Sequence, residues 1–257
     1  MDGQIIKDTY APKTANCEVC ALSKGKRLIS RRQRHYMSVP SPFGDISIDL
    51  VEFKQGWNGD IFMFHAYDAD THVNFVWTLP SKTQENVVNA LRELVTFTAS
   101  INRQITAIAS DNDRSYGLLF QSYLKSHSIT WRPAAPHTPA QDPAERSGGL
   151  LITMARCLAI QGNLPENLWP ELVNTAAYLL NRCPIKALGY RTPFEAATGK
   201  KPLISHLVKI GSRAYPLKTG DTAPGRTDKL HARSHIGYLV GFDSTNIYRV
   251  RIPSLKQ

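Results

Sequence analysis

Gly44-Asp45-Ile46-Ser47-Ile48-Asp49-Leu50-Val51-Glu52 is the stretch whose reading decides the fold. Ile46, Ile48 and Leu50 alternate with Ser47, Asp49 and Val51, which is the period of a strand with one strongly apolar face. A strand is therefore expected over 43–53. The turn formers Gly56, Asn58 and Gly59 follow. Two runs rich in aromatic and β-branched residues come next, at 61–67 and 72–79, so the three read as a β-meander. Asp49 is the anomaly. A carboxylate in the middle of an otherwise apolar strand is costly to bury unless something meets its charge.

Working outward, helical spacing of Val87, Val88, Leu91, Leu94 and Val95 predicts a helix over 83–100, with Thr83 and Glu85 or Asn86 at its start. A short strand at 105–110, a helix at 117–126 and a strand at 129–132 continue the alternation. The order β-β-β-α-β-α-β-α predicts a mixed sheet with helices on its faces. Prolines at 133, 136, 139 and 143 mark a loop before a helix from about Ala144. An amphipathic helix is expected at 169–182, with Pro170 in its first turn. Thr192-Pro193 opens a short helix that Gly199 closes. Beyond Lys209, short strands broken by Gly and Pro suggest a small basic β-barrel.

The chain has 257 residues and 42% apolar composition, enough for a large core and too apolar for a disordered tail. No apolar run approaches the roughly 20 residues of a membrane helix, and residues 1–7 show no apolar signal region, so a soluble intracellular protein without membrane partners is expected. The net charge of +10 is unevenly spread. Residues 1–36 hold 8 Lys/Arg against 3 Asp/Glu, residues 37–181 hold 9 against 14, and residues 182–257 hold 14 against 4. Basic flanks suit a polyanion such as nucleic acid. An acidic centre between them suits carboxylates gathered around divalent cations. In the first flank Lys24, Lys26, Arg27, Arg31, Arg32 and Arg34 fall together without an acid, as in an arm or linker. Cys17 and Cys20 form a CxxC, which in a reducing compartment points to metal or redox chemistry.

Asp111 sits just past a short apolar strand, in Ile108-Ala109-Ser110-Asp111-Asn112, and Glu145 opens a helix after the proline-rich loop. Carboxylates from distant parts of the chain that meet at a sheet edge can hold Mg²⁺ through oxygen ligands, and two such ions can activate one oxygen and stabilise another. Asp45 is the rival for the first acid. It lies at the strand entrance, where a turn or capping role is favoured. Glu52 is expected on the surface.

Asp111-Asn112 followed by His137-Thr138-Pro139-Ala140-Gln141-Asp142-Pro143-Ala144-Glu145-Arg146 resembles the integrase core of copia-type (Pseudoviridae) retrotransposons. Further words follow in order: Met154-Ala155-Arg156, Leu168-Trp169-Pro170-Glu171, Tyr178-Leu179-Leu180-Asn181-Arg182-Cys183-Pro184, Thr192-Pro193-Phe194-Glu195, Gly199-Lys200-Lys201-Pro202 and Gly237-Tyr238-Leu239-Val240-Gly241-Phe242. The resemblance covers about residues 17–257. It implies a ribonuclease-H-like core over 37–203, preceded by a basic arm over 1–36 and followed by an SH3-like β-barrel over 204–257.

The resemblance also implies a chemistry. Asp49, Asp111 and Glu145 become the metal-binding acids of a polynucleotidyl transferase. With two Mg²⁺ or Mn²⁺ ions, the enzyme trims the 3′ ends of element DNA and joins them to target DNA. Nucleic-acid contacts are expected from Arg146, from the arm (Lys24, Lys26, Arg27, Arg31, Arg32) and from Lys209 and Arg213. The implied partners are DNA, with RNA as a further candidate, and further copies of the chain. The implied place of action is the nucleus, after a cytoplasmic particle. Cys17 and Cys20 match the second half of a His-His-Cys-Cys zinc unit whose histidines are missing before Cys17, so Zn²⁺ belongs to a longer form. Two other classes stay open: a non-catalytic nucleic-acid-binding remnant, and a ribonuclease-H-like nuclease. The sequence also departs from the family pattern. Asp113 stands where Gly follows Asp-Asn, Asp142-Pro143 where Asn-Gly is usual, and Ser147-Gly148-Gly149 where cations facing DNA would be expected.

Overall fold

The computed structural model describes residues 42–133 and 143–255. Strands β1 (Asp45–Glu52), β2 (Phe62–Asp68) and β3 (Asn74–Leu79) form the expected antiparallel meander. Helix α1 (Gln84–Ser100) starts at Thr83, whose hydroxyl accepts from the Asn86 N–H. Then come β4 (Ala107–Ser110), α2 (Leu118–Ser126) and β5 (Thr130–Pro133). β4 lies parallel to β1, and β5 parallel to β4, so the five-stranded sheet has the order β3-β2-β1-β4-β5. Helices α3 (Pro143–Gly162), α4 (Trp169–Leu180) and the short α5 (Pro193–Thr198) follow. α5 begins at Thr192, whose hydroxyl accepts from Glu195 N–H, and ends at Gly199 in the left-handed conformation.

Strand alternation sorts the central residues onto two faces. Ile46, Ile48, Phe62, Phe64 and Ala66 point to one side, where Val87, Leu91 and Leu94 of α1 and Phe120 of α2 complete a buried cluster. The odd positions point the other way. Met63 and Val51 join α3 and α4 through Leu151, Leu158, Trp169 and Leu172. Phe53 stacks on Trp169 at 4.4 Å between ring centroids. Each fully buried Leu, Ile or Phe of these layers is worth about 1.5–3 kcal/mol. Asp49 shares the odd face, so the fold turns it toward α3.

The C-terminal segment differs from the expectation of a separate barrel. β6 (Arg213–Ala214), β7 (Gly237–Phe242) and β8 (Tyr248–Arg251) form a three-stranded antiparallel sheet, and no closed barrel is found among the described residues. This sheet lies on α4. Ile210, Leu239, Val240 and Phe242 belong to the same buried cluster as Leu168, Trp169 and Val173. The Thr175 hydroxyl donates to the Val240 carbonyl at 2.9 Å, and Arg249 Nη1 pairs with Glu171 at 2.9 Å. At Gly211 (φ 84°) the chain passes so close to α3 that a Cβ would stand 2.5 Å from Gly162 Cα.

Candidate active site

The parallel pairing of β1 with β4 sets the first geometric fact. Asp45 pairs with Ala107, Ile46 with Ile108 and Ser47 with Ala109. Asp49 lies two residues past the last of these rungs on β1, and Asp111 follows directly after β4. Asp49 is half-buried on β1, while Asp111 is exposed at the end of β4. Glu145 is exposed in the first turn of α3, and α3 packs against β1 and β2.

The electrostatics tie the three together. Burial pushes the Asp49 carboxyl above its usual range, the charge of Asp111 pushes it further, and that of Glu145 adds to this; a hydrogen bond to the Leu50 backbone works in the opposite direction. Asp111 is raised too, by desolvation first and then by Asp113, against the backbone N–H of Asp113 and the charge of Lys82. Asp68 is fully buried, yet one of its oxygens accepts from Phe43 N–H, Thr71 N–H and the Thr71 hydroxyl. Its role is to close a turn. Asp49, half-buried, has a backbone hydrogen bond at Leu50 and feels the charges of two other acids. The donor set, all carboxylate oxygen, fits a hard divalent ion. In this arrangement, however, no group of three or more His, Cys, Asp or Glu among the described residues stands together so as to hold a metal ion.

Beneath Asp49 lies a buried polar unit that the sequence did not flag. His65 is the cross-strand partner of Asp49 and is fully buried. Its Nε2 lies 2.9 Å from Asn74 Oδ1, and the same oxygen accepts from the Ser147 hydroxyl at 2.6 Å. Asn74 is held in turn by Asn181, which accepts from Asn74 N–H and donates to Asn74 O, both at 2.8 Å. Because the shared oxygen is an acceptor, the His65 proton sits on Nε2. Burial lowers His65 to about 4, against the raising effect of Asn74 and Ala144, so the ring is neutral at pH 7. Ser147 thus fastens the turn carrying Glu145 to β3.

Gly148 has its reason here. A Cβ on it would meet His65 Nδ1 at 3.4 Å and Asp49 Oδ2 at 3.9 Å. The glycine brings α3 close to its own sheet, over the first acid. A histidine inside an aromatic strand was the available signal. Its partners lie 9 and 73 positions away in sequence, from Asn74 to His65 and to Ser147, which put the network out of reach of pattern reading.

The remaining expected residues divide. Asp45 pairs with Arg132 across to β5 at 2.8 Å, a structural bridge at the strand entrance. Glu52 is exposed as expected. Arg146, Lys209 and Arg213 are exposed, as phosphate contacts require. Cys17, Cys20, Lys24, Lys26, Arg27, Arg31, Arg32 and Arg34 lie outside the described residues, as do residues 134–142. A cavity of about 680 Å³ lies away from the carboxylates, where Trp57 and Glu171 face Arg249, Val250 and Ile252. No helix among the described residues is long and apolar enough to cross a membrane.

The molecule is thus a mixed five-stranded sheet with helices packed on it, with Asp49 in mid-β1, Asp111 just past β4 and Glu145 in the first turn of α3. Its likeness in fold is to a chain of the simian T-cell lymphotropic virus intasome in complex with PP2A regulatory subunit B56 gamma. There the TM-score is 0.54 at 16% identity, covering 91% of this chain and 85% of that one. The chain's homologues are copia-type retrovirus-related Pol polyproteins of plant transposons, in agreement with the ordered words of its sequence. It is 29% identical over 227 residues to the Pol polyprotein from transposon TNT 1-94 of Nicotiana tabacum, and 26% identical over 184 residues to that from transposon RE2 of Arabidopsis thaliana. These alignments cover 86% and 70% of this chain but only 17% and 12% of the polyproteins' length. No protein-family model matches the chain.

Proposed function

We propose that this chain is the catalytic segment of a retrotransposon integrase, a metal-dependent polynucleotidyl transferase that trims the 3′ ends of element DNA and joins them to target DNA. The observation that carries the reading is the crowding of acids: Asp49, half-buried on β1, is raised by burial and feels the charges of Asp111 and Glu145. Its homology to retrovirus-related Pol polyproteins supports integrase at the level of the family.

Asp49, Asp111 and Glu145 would hold the cations, one acid from each of three separate elements. When bound, divalent ions supply charge neutralisation at the reacting phosphate and activation of the attacking oxygen. The chain supplies placement. The parallel pairing of β1 with β4 carries Asp49 and Asp111 past the same end of the ladder, and the bond from Ser147 to Asn74 fixes the turn of Glu145. Exposed Arg146, next to Glu145, orients a phosphate of the polynucleotide, while Lys209 and Arg213 extend basic surface on the C-terminal segment. Such contacts grip phosphate without reading sequence. Further copies of the chain, DNA as the partner and action in the nucleus belong to the same proposal.

The second reading is a remnant that binds nucleic acid without joining it. What favours it is the absence, among the described residues, of a carboxylate group closed enough to hold an ion. A strand-transfer assay decides, using an oligonucleotide duplex that mimics an element end, in Mg²⁺ or Mn²⁺. Joining that is abolished by Asp49→Asn and by Glu145→Gln, with DNA retention kept, supports the integrase. Retention without joining in the unaltered chain supports the remnant, and cleavage without joining supports a nuclease.

A further inference from the structure

The carboxylate site has a cationic lip that no motif marked. Lys82, exposed in the turn between β3 and α1, stands 3.1 Å from Asp113 Oδ2. It is the cation whose charge is felt at Asp111. Its ammonium also lies 5.9 Å from the Phe62 ring centroid, within reach of a cation–π attraction.

Both partners are held by their surroundings. The other oxygen of Asp113 accepts from the Ser115 N–H at 2.8 Å and the Ser115 hydroxyl at 2.6 Å, which leaves Oδ2 aimed at Lys82. The turn bearing Lys82 is fastened by Gln84, whose Oε1 accepts from Leu119 N–H at 2.9 Å in the first turn of α2. A Cβ on Gly117 would stand 2.4 Å from Gln84 Nε2, so a larger residue there would make the amide move. The loop after β3 is therefore fixed against the loop after β4, with one ammonium beside the second acid of the site.

An anion that reaches Asp111 through bridging cations must come within the field of this ammonium. A phosphate oxygen and a carboxylate oxygen make the same charge-assisted contact with lysine. We propose that Lys82 is a phosphodiester-binding residue at the edge of the carboxylate site, and that Asp113 occupies it as an intramolecular substitute for phosphate until a polynucleotide displaces the carboxylate. The inference rests on the nucleic-acid reading of the site and adds a named contact with a built-in competitor.

The test is a double-mutant cycle on the full chain, read as the affinity for a short fluorescent DNA duplex at several salt concentrations, with Ca²⁺ present. Lys82→Gln should weaken binding and reduce the slope of log affinity against log salt by about 0.9, the amount for one lost phosphate contact. Asp113→Asn should tighten binding by about two- to fivefold, the range for release of an exposed ion pair. In the Lys82→Gln background Asp113→Asn should bring no such gain. An equal gain in both backgrounds would show that Asp113 acts as a general repulsive charge, and would overturn the proposal. An unchanged salt slope in a Lys82→Gln chain that melts like the parent would overturn it too. Failure of the parent chain to retain DNA at low salt would instead sink the nucleic-acid reading itself, which keeps the two failures apart.

Discussion

His65 should make this protein acid-sensitive in a defined window. The ring is fully buried and is lowered to about 4 by burial, from an ordinary value of 6.5. The sign follows from proton linkage. Below pH 6.5 the unfolded chain takes up a proton that folded His65 refuses, so stability is complete above 6.5 and is lost progressively as pH falls toward 4. At about 1.4 kcal/mol for each pKa unit, the loss across the window is on the order of 3 kcal/mol. Several carboxyls, half-buried Asp49 and buried Asp68 and Glu171 among them, are raised and so change stability with pH in the opposite sense. The measurement must therefore be a difference. Urea unfolding of the parent and of His65→Gln, followed from pH 7 to about pH 4.5, isolates the histidine because the acids are common to both. Glutamine can still donate to Asn74 but takes up no proton. The gap between the two chains should close by about 2–3 kcal/mol toward the acid end. A constant gap would mean that His65 is charged in the folded state, or is not buried against α3. The account of how the turn of Glu145 is held would then be wrong.

Two further outcomes are expected. Asp49→Asn removes a carboxylate raised by burial, Asp111 and Glu145, so without metal at pH 7 the variant should melt above the parent, by about 2–4 °C for each kcal/mol relieved. Saturating Mg²⁺ should reverse the order, since an ion at about 100 times its Kd stabilises only the chain that binds it, by about 2.7 kcal/mol. A parent chain whose melting ignores Mg²⁺ would refute the metal site. Gly241→Ala would force a Cβ to within 2.4 Å of Thr175 Oγ1, at the seam between the C-terminal sheet and α4. Overpacking of this kind costs about 1–3 kcal/mol, and the whole molecule should melt earlier in one transition by calorimetry. An unaltered main transition would show that the sheet is not part of the core.

What the sequence determined by itself is local. The alternation around Asp49, the helical spacing from Val87 to Val95 and the Thr192-Pro193 start of α5 each act within a few residues, where backbone geometry and side-chain period suffice. The ordered words at Asp111-Asn112 and Ala144-Glu145-Arg146 pointed to the acids in the same way. β7 carried a local sign of its burial. Gly237-Tyr238-Leu239-Val240-Gly241-Phe242 is buried on both faces at Leu239 and Val240, and such a run marks a strand covered on both sides. Only the tertiary structure decided the rest. The parallel register of β1 and β4 brings the strand before Asp111 beside the strand of Asp49, across 62 positions of sequence. The meeting of His65, Asn74 and Ser147, and the face that Gly148 turns to the sheet, depend on how α3 packs. Burial, desolvation and charge crowding are properties of what surrounds a side chain, and in this protein those surroundings come from strands and helices far apart along the chain.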